Sequence, residues 1–180
     1  MPIHIETPRL ILRELDYIDE NDLYEMDSDP LVHRYINNDP VTSMDRITAV
    51  IKMLQQQYKE NGIGRWAVVD KNTNECLGWC GLKYFTDTMN GRTNFYEHGY
   101  RFKQKHWGKG YATESSVAII DYGFDHFGME TIYATTDLRN ANSQNVLRKL
   151  QFEHKEIFEY EKGRELNWFE LSKEKWHQSR

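Results

Sequence analysis

The stretch of this chain whose residue types and spacing suggest chemistry most directly is Tyr100-Arg101-Phe102-Lys103-Gln104-Lys105-His106-Trp107-Gly108-Lys109-Gly110-Tyr111-Ala112-Thr113-Glu114. Strand-like residues lead into it, two glycines stand at its turn, and a helix-like pattern leaves it. Backbone N–H groups at a helix start lack intrahelical partners and, together with the helix dipole, attract anions. Glycines let a ligand's phosphates come close to the backbone. Lys103, Lys105 and Lys109 add positive charge locally in a chain of net charge −5. The physical reading is a phosphate-bearing ligand. A glycine turn that only makes room for helix–sheet packing is the alternative, and spacing alone leaves both open. Neither G-x-G-x-x-G nor the rest of a P-loop is present.

The elements that must position this segment follow from hydrophobic periodicity. Arg9–Arg13 reads as a first strand and Asp16–Asp27 as a helix capped by Asp16. A short helical turn is expected over Pro30–Tyr35. A longer helix starts near Thr42 or Ser43, with Ile47, Val50, Ile51, Leu54 and Tyr58 on one face, and ends at Asn61-Gly62. Strands over Arg65–Val69, Glu75–Phe85 and Asn94–Phe102 are separated by turn clusters at Asp70–Asn74 and Asn90-Gly91, which predicts an antiparallel meander. The helix after Gly110 runs to about Phe127, with Val117, Ile120, Phe124 and Phe127 facing inward. A strand at Thr131–Thr136, a helix at Ala141–Leu150 and a hairpin of Phe152–Tyr160 with Glu165–Leu171 complete the chain. The fold class is α/β (α+β): a mixed, mostly antiparallel sheet of six to seven strands flanked by helices. A preceding strand in a meander, rather than in a repeating parallel unit, argues against a dinucleotide fold.

Composition narrows the function classes. With 180 residues, 39% hydrophobic and 28% charged, the chain reads as one globular domain over 1–180. Its acidity makes it a poor general binder of nucleic acid. No apolar run approaches the ~20 residues that span a bilayer. Met1–Glu6 shows no secretory pattern, so a cytoplasmic location is expected, with no membrane partner. Cys76 and Cys80 lack two further ligands at zinc spacing. A four-residue gap on one strand would place them on the same face, and buried free thiols are expected rather than a metal site or a disulfide.

Trp107-Gly108-Lys109-Gly110-Tyr111-Ala112-Thr113-Glu114 resembles the acyl-CoA signature of the GNAT superfamily of N-acetyltransferases, and within it the RimJ/RimL-like branch. Four other pieces resemble that branch in order: Thr7–Arg13, Leu77-Gly78-Trp79-Cys80-Gly81-Leu82, Glu97-His98-Gly99-Tyr100, and Asn140-Ala141-Asn142-Ser143 with Leu147–Phe152. The resemblance runs from about residue 7 to 172. Two positions depart from it: Lys105 replaces the usual Arg or Gln three residues before the first glycine, and Gln151 replaces a glycine.

The resemblance implies acetyl-CoA as cosubstrate, no metal, and a primary amine as acceptor. The acceptor could be a protein N-terminus or a small molecule such as a polyamine, an amino acid or an antibiotic. It implies cofactor contacts at Phe102, Lys105, Trp107, Gly108, Lys109, Gly110, Tyr111, Ala112, Asn140 and Ser143. The diphosphate would lie on N–H groups of Trp107–Ala112, and the Phe102 N–H would polarise the thioester carbonyl. Asn140 would contact pantetheine amides, or serve only as a helix N-cap. Ser143 would donate a proton to departing CoA, or merely cap. Glu97 would be the general base, because an α-amine with a pKa near ~8 must lose its proton to attack. Its alternative is a solvated strand glutamate. His98 should face the other way. Tyr35, Trp66, Trp79 and Tyr84 could line an acceptor pocket or belong to the core. A monomer or homodimer is expected. A non-catalytic acyl-CoA sensor and a different phosphate-ligand enzyme are the competing readings.

Overall fold

A computed structural model describes residues 4–179, so the reading of Met1–Ile3 as free of a leader lies outside the described residues. One eight-stranded sheet, ordered β1-β2-β3-β4-β5-β6-β8-β7, organises the molecule. Its strands are β1 His4–Glu6, β2 Leu10–Glu14, β3 Arg65–Asp70, β4 Cys76–Phe85, β5 Phe95–Phe102, β6 Thr131–Asp137, β7 Glu153–Glu161 and β8 Arg164–Ser172. The expected seven strands are all present. The eighth, β1, pairs three residues with β2 at the sheet edge and is too short to show a period. Every neighbouring pair is antiparallel except β5–β6, which is parallel.

Among the described residues, six α-helices cover the two faces. On one face lie α1 Glu20–Asp27, α2 Pro30–His33 and α3 Met44–Asn61. On the other lie α4 Tyr111–Asp125, α5 Ala141–Lys149 and α6 Lys173–Gln178. In α3, Ile47, Ile51, Leu54 and Tyr58 are buried at helical spacing, and Gly62 ends the helix in the left-handed conformation (φ 68°). In α4 the inward face is Ile119, Ile120, Gly123 and Phe124. Val117 and Phe127, expected there, are only partly buried. Gly123 is required by packing, since a Cβ there would stand 2.6 Å from Leu82 Cδ1. No helix among the described residues is long and apolar enough to cross a membrane.

The cysteines correct a register argument. Both thiols are free and buried, as expected. They face opposite ways, however, because a bulge shifts the β3–β4 register between Val68 and Val69 and reverses the side-chain alternation. The Cys76 N–H donates to Asp22 Oδ2 of α1 at 3.1 Å, while Cys80 Sγ meets Ser116 Oγ of α4 at 3.6 Å. Burial pushes the two thiols up to about 12 and about 11, which leaves them unreactive near neutrality.

Beneath α4, His98 is 3% exposed and its Nε2 lies 2.9 Å from Ser116 Oγ. Burial pushes its pKa down to about 4. The unfolded chain therefore takes up a proton near pH 6.5 that the folded one refuses until about 4. This contribution to stability is complete above pH 6.5 and is lost as pH falls toward 4. Between pH 7 and 5 the wild type should lose about 2 kcal/mol more unfolding free energy than His98→Phe, measured by urea denaturation at both pH values. Parallel pH profiles would show that His98 is not the buried neutral group described.

Candidate active site

Strands β5 and β6 pair at a single register position, Glu97 with Tyr133, and then separate. Strand β5 remains paired with β4 down to Phe102, and the next N–H, that of Lys103, bonds Leu77 O at 3.0 Å. Backbone groups alternate along a strand. The N–H groups of Tyr100 and Phe102 therefore point away from β4, into the wedge that β6 has left. The Phe102 carbonyl is closed off by the Trp107 indole, whose Nε1 donates to it at 2.8 Å, and the Phe102 ring is buried in the core. An extended ligand entering the wedge meets strand N–H groups with no strand partner.

The wedge opens at the N-terminus of α4. Gly108 (φ 73°) and Gly110 (φ 83°) both take the left-handed backbone that favours glycine, and a Cβ on Gly108 would meet nothing within 4 Å. Gly110 caps α4 without any side-chain hydrogen bond, which leaves the first-turn N–H groups turned to solvent. Of the N–H groups expected to form a cradle, that of Trp107 is committed to Gln104 O at 3.0 Å, which leaves those of Gly108, Lys109, Gly110, Tyr111 and Ala112 as the candidates.

The expected electrostatics of this segment also need correction. Lys103 is 2% exposed and its ammonium contacts Asp22, Glu25 and Glu75 at 2.6–2.9 Å. Lys105 is drawn to Glu25 and Glu75, both at 2.8 Å. Both lysines bind the loop to α1 and β4, and their charge is spent there. Asp22, Glu25 and Glu75, which could resemble a metal cluster, are neutralised by these lysines. Arg9 takes over at the mouth of the cradle. It donates to Lys109 O at 2.9 Å, pairs with Glu114 at 2.6 Å and lies 4.4 Å from the centre of the Tyr111 ring. Glu114 also accepts from Thr7 Oγ1 at 2.6 Å. The sequence placed Arg9 in a strand but gave no sign that it would reach across about a hundred residues to fix the glycine loop.

Two side chains approach the wedge from opposite faces of β5. On the α5 side, Asn140 Oδ1 accepts from the Ser143 N–H at 3.1 Å. Asn140 is thus an N-cap. Tyr100 donates to Ser143 Oγ at 3.1 Å, a contact that the sequence did not reveal because Tyr100 lies 43 residues away. Burial holds the Tyr100 phenol up at about 12, so it stays protonated and can act as donor. On the α1–α3 side, Glu97 is half-buried and accepts from Thr135 Oγ1 at 2.7 Å. Burial raises its pKa, against the opposing pull of the Thr135 hydrogen bond, Lys83 and Arg65. His98 faces α4, as alternation required.

The four aromatic residues divide between these faces. Trp66 is fully buried against Tyr122 of α4, and Tyr84 packs on Tyr96. Trp79 shares the Glu97 face between Arg65 and Arg101, 5.1 and 5.4 Å from its ring centre. Tyr35, beyond α2, sits between Arg34 and Arg139.

Comparison with known proteins gives the family and the fold. Residues 9–153 match the acetyltransferase (GNAT) domain family. The uncharacterized N-acetyltransferase p20 of Bacillus licheniformis is 34% identical over 159 residues, 88% of this chain and 87% of that one. Two solved structures share the fold. RimL, a ribosomal L7/L12 α-N-protein acetyltransferase, has a TM-score of 0.78 at 15% identity, covering 96% of this chain and 95% of its own. Spermidine N-acetyltransferase from Vibrio cholerae, solved with CoA and spermine, has a TM-score of 0.75 at 17% identity, covering 95% and 99%. A wedge between parallel strands, a glycine cradle beside it and a family match over most of the chain lead to one conclusion: this chain belongs to the GNAT family and is an acetyl-CoA-dependent N-acetyltransferase.

Proposed function

We propose that the chain transfers an acetyl group from acetyl-CoA to a primary α-amine presented on the Glu97 face, with Glu97 as general base and Ser143 as proton donor. The observation that carries this reading is the wedge: unpartnered Tyr100 and Phe102 N–H groups run from the α4 cradle to a point flanked by Glu97 and Ser143. Bound acetyl-CoA supplies an activated thioester. The N–H groups of Gly108–Ala112 receive its diphosphate, Asn140 Nδ2 contacts the pantetheine arm, and the Phe102 N–H steadies the oxyanion developing on the acetyl carbonyl. Glu97 takes a proton from the ammonium, directly or through water. Ser143 gives its proton to the departing sulfur, Tyr100, still protonated, donates its hydrogen bond to the Ser143 oxygen, and Ser143 regains a proton from solvent. In this reading Lys105 and the Trp107 indole hold the loop.

Calorimetric titration tests the cradle. Acetyl-CoA should bind saturably in the micromolar range, at least about tenfold more tightly than ATP. A panel of α-amines should then release CoA thiol only in the presence of protein. Equal affinity for ATP and acetyl-CoA, or tight binding without thiol release from any amine, would overturn the reading; the second result would leave an acyl-CoA sensor.

A further inference from the structure

On the Glu97 face, three strands lie in register. Arg65 of β3 stands opposite Gly81 of β4, which stands opposite Gly99 of β5. One row toward the splayed end, Trp79 faces Arg101. One row the other way, Lys83 faces Glu97. Residues directly opposite share a face, so Gly81 and Gly99 form a floor without side chains, bounded by Arg65, Trp79, Arg101, Lys83 and Glu97. The Trp79 ring lies 3.6 Å from where a Gly99 Cβ would stand, which closes one side.

The charges here do not balance. Arg101 is neutralised by Asp27 at 2.7 Å. Arg65 and Lys83 have no carboxylate within ion-pair distance among the described residues; their neighbours are the Trp79 ring and, at 3.9 Å, the Phe85 ring. Burial lowers the pKa of both. With Asp27 taken by Arg101, Glu97 is the carboxylate left beside Arg65 and Lys83 among the described residues, and as general base it becomes neutral once it takes the amine's proton. Two partly desolvated cations would then lack a counter-charge, which is unfavourable unless a ligand provides one. The Arg65 guanidinium lies 5.1 Å from the centre of the Trp79 ring, and its planar fork is the geometry that suits a carboxylate.

Resting on the acetyl-transfer reading above, we infer that the acceptor carries a carboxylate about one residue's length from its reacting amine, and that Arg65, supported by Lys83, recognises it. Arg65 and Glu97 lie two strands and one row apart, roughly 12 Å between backbones, which their side chains narrow to the span of an amino acid or the first two residues of a peptide. The carboxylate has two sources: the α-carboxylate of a free amino acid, or an acidic side chain next to a peptide N-terminus. A polyamine would place further positive charge beside Arg65 and Lys83.

The test compares acceptors that differ only in that group, by calorimetry on the CoA-saturated protein and by thiol release with acetyl-CoA. Alanine against alaninamide probes the first source, and Ser-Glu-amide against Ser-Gln-amide the second. The carboxylate member of at least one pair should bind at least tenfold more tightly, and should also do so relative to spermidine. Arg65→Gln should abolish the preference while leaving the affinities for acetyl-CoA and for the neutral member unchanged; Arg65→Lys should restore part of it. Affinities within twofold in both pairs, a preference that survives Arg65→Gln, or tighter binding of spermidine would overturn the inference. Turnover without a carboxylate preference defeats this inference alone. A carboxylate preference without any turnover defeats the acetyl-transfer reading and leaves the Arg65 site standing.

Discussion

Glu97→Gln should lower kcat/KM for an α-amine about 10²–10³-fold at pH 7 and leave the affinity for acetyl-CoA unchanged. The substitution keeps the side-chain length, and the amide oxygen can still accept from Thr135 Oγ1, which now donates to Glu97 at 2.7 Å. What disappears is the capacity to take a proton. An α-amine with a pKa near ~8 is about nine-tenths protonated at pH 7 and largely free at pH 9.5. The deficit should therefore shrink to roughly tenfold or less at the higher pH, because the solution has already done what Glu97 does.

The wild-type profile carries a second signature of Glu97. Burial raises the Glu97 pKa, so activity should begin to rise above the usual carboxylate range and not within it. Thr135→Val removes a hydrogen bond that favours the charged form, and should displace that limb further upward. In Glu97→Gln the limb should follow the amine's own pKa. A variant that loses activity equally at pH 7 and 9.5 would remove Glu97 from proton transfer and leave it a positioning role.

The sequence disclosed those parts of this site that are local. Gly108 and Gly110 at a strand–helix junction pointed to an anion cradle, and both glycines take the left-handed backbone that such a turn needs. Alternation along β5 placed Glu97 and His98 on opposite faces, as the structure has them. The parts that stayed hidden depend on long-range contacts. Arg9 meets Glu114 and Lys109 across the sheet, and Tyr100 meets Ser143 from another element. No periodicity encodes either pairing. The lysines misled for the same reason: Lys103 and Lys105 add local charge in sequence, yet the carboxylates that neutralise them come from α1 and from Glu75, just before β4. Cys76 and Cys80 show a subtler limit, because one bulge at Val68–Val69 reverses a face assignment that simple counting by two would make. The charge imbalance around Arg65 was equally invisible. It requires knowing that Gly81 and Gly99 lie side by side and that Asp27 pairs with Arg101 while no carboxylate among the described residues comes within ion-pair distance of Arg65.

Gly108→Val should abolish measurable acetyl-CoA binding, a loss of at least about 100-fold, or about 2.7 kcal/mol. The argument separates backbone strain from lost function by means of a matched control. Gly108 and Gly163 have nearly the same left-handed backbone, φ 73° and 79°, and a Cβ on either meets nothing within 4 Å. Gly163 lies in the turn of the β7–β8 hairpin, whereas Gly108 lies in the cradle before α4. A branched residue in that conformation costs on the order of 1–2 kcal/mol at either position. The two variants should therefore melt a similar few degrees below the wild type, by about 2–8 °C for a chain of this size. Only the cradle variant should lose acetyl-CoA, because its side chain occupies the space above the N–H groups of Gly108–Ala112, where a diphosphate would have to sit. If Gly108→Val bound acetyl-CoA as the wild type does, the space around Gly108 would be empty for want of packing and not for want of a ligand, and the phosphates would have to be held elsewhere, with the Arg9 guanidinium the next group to test.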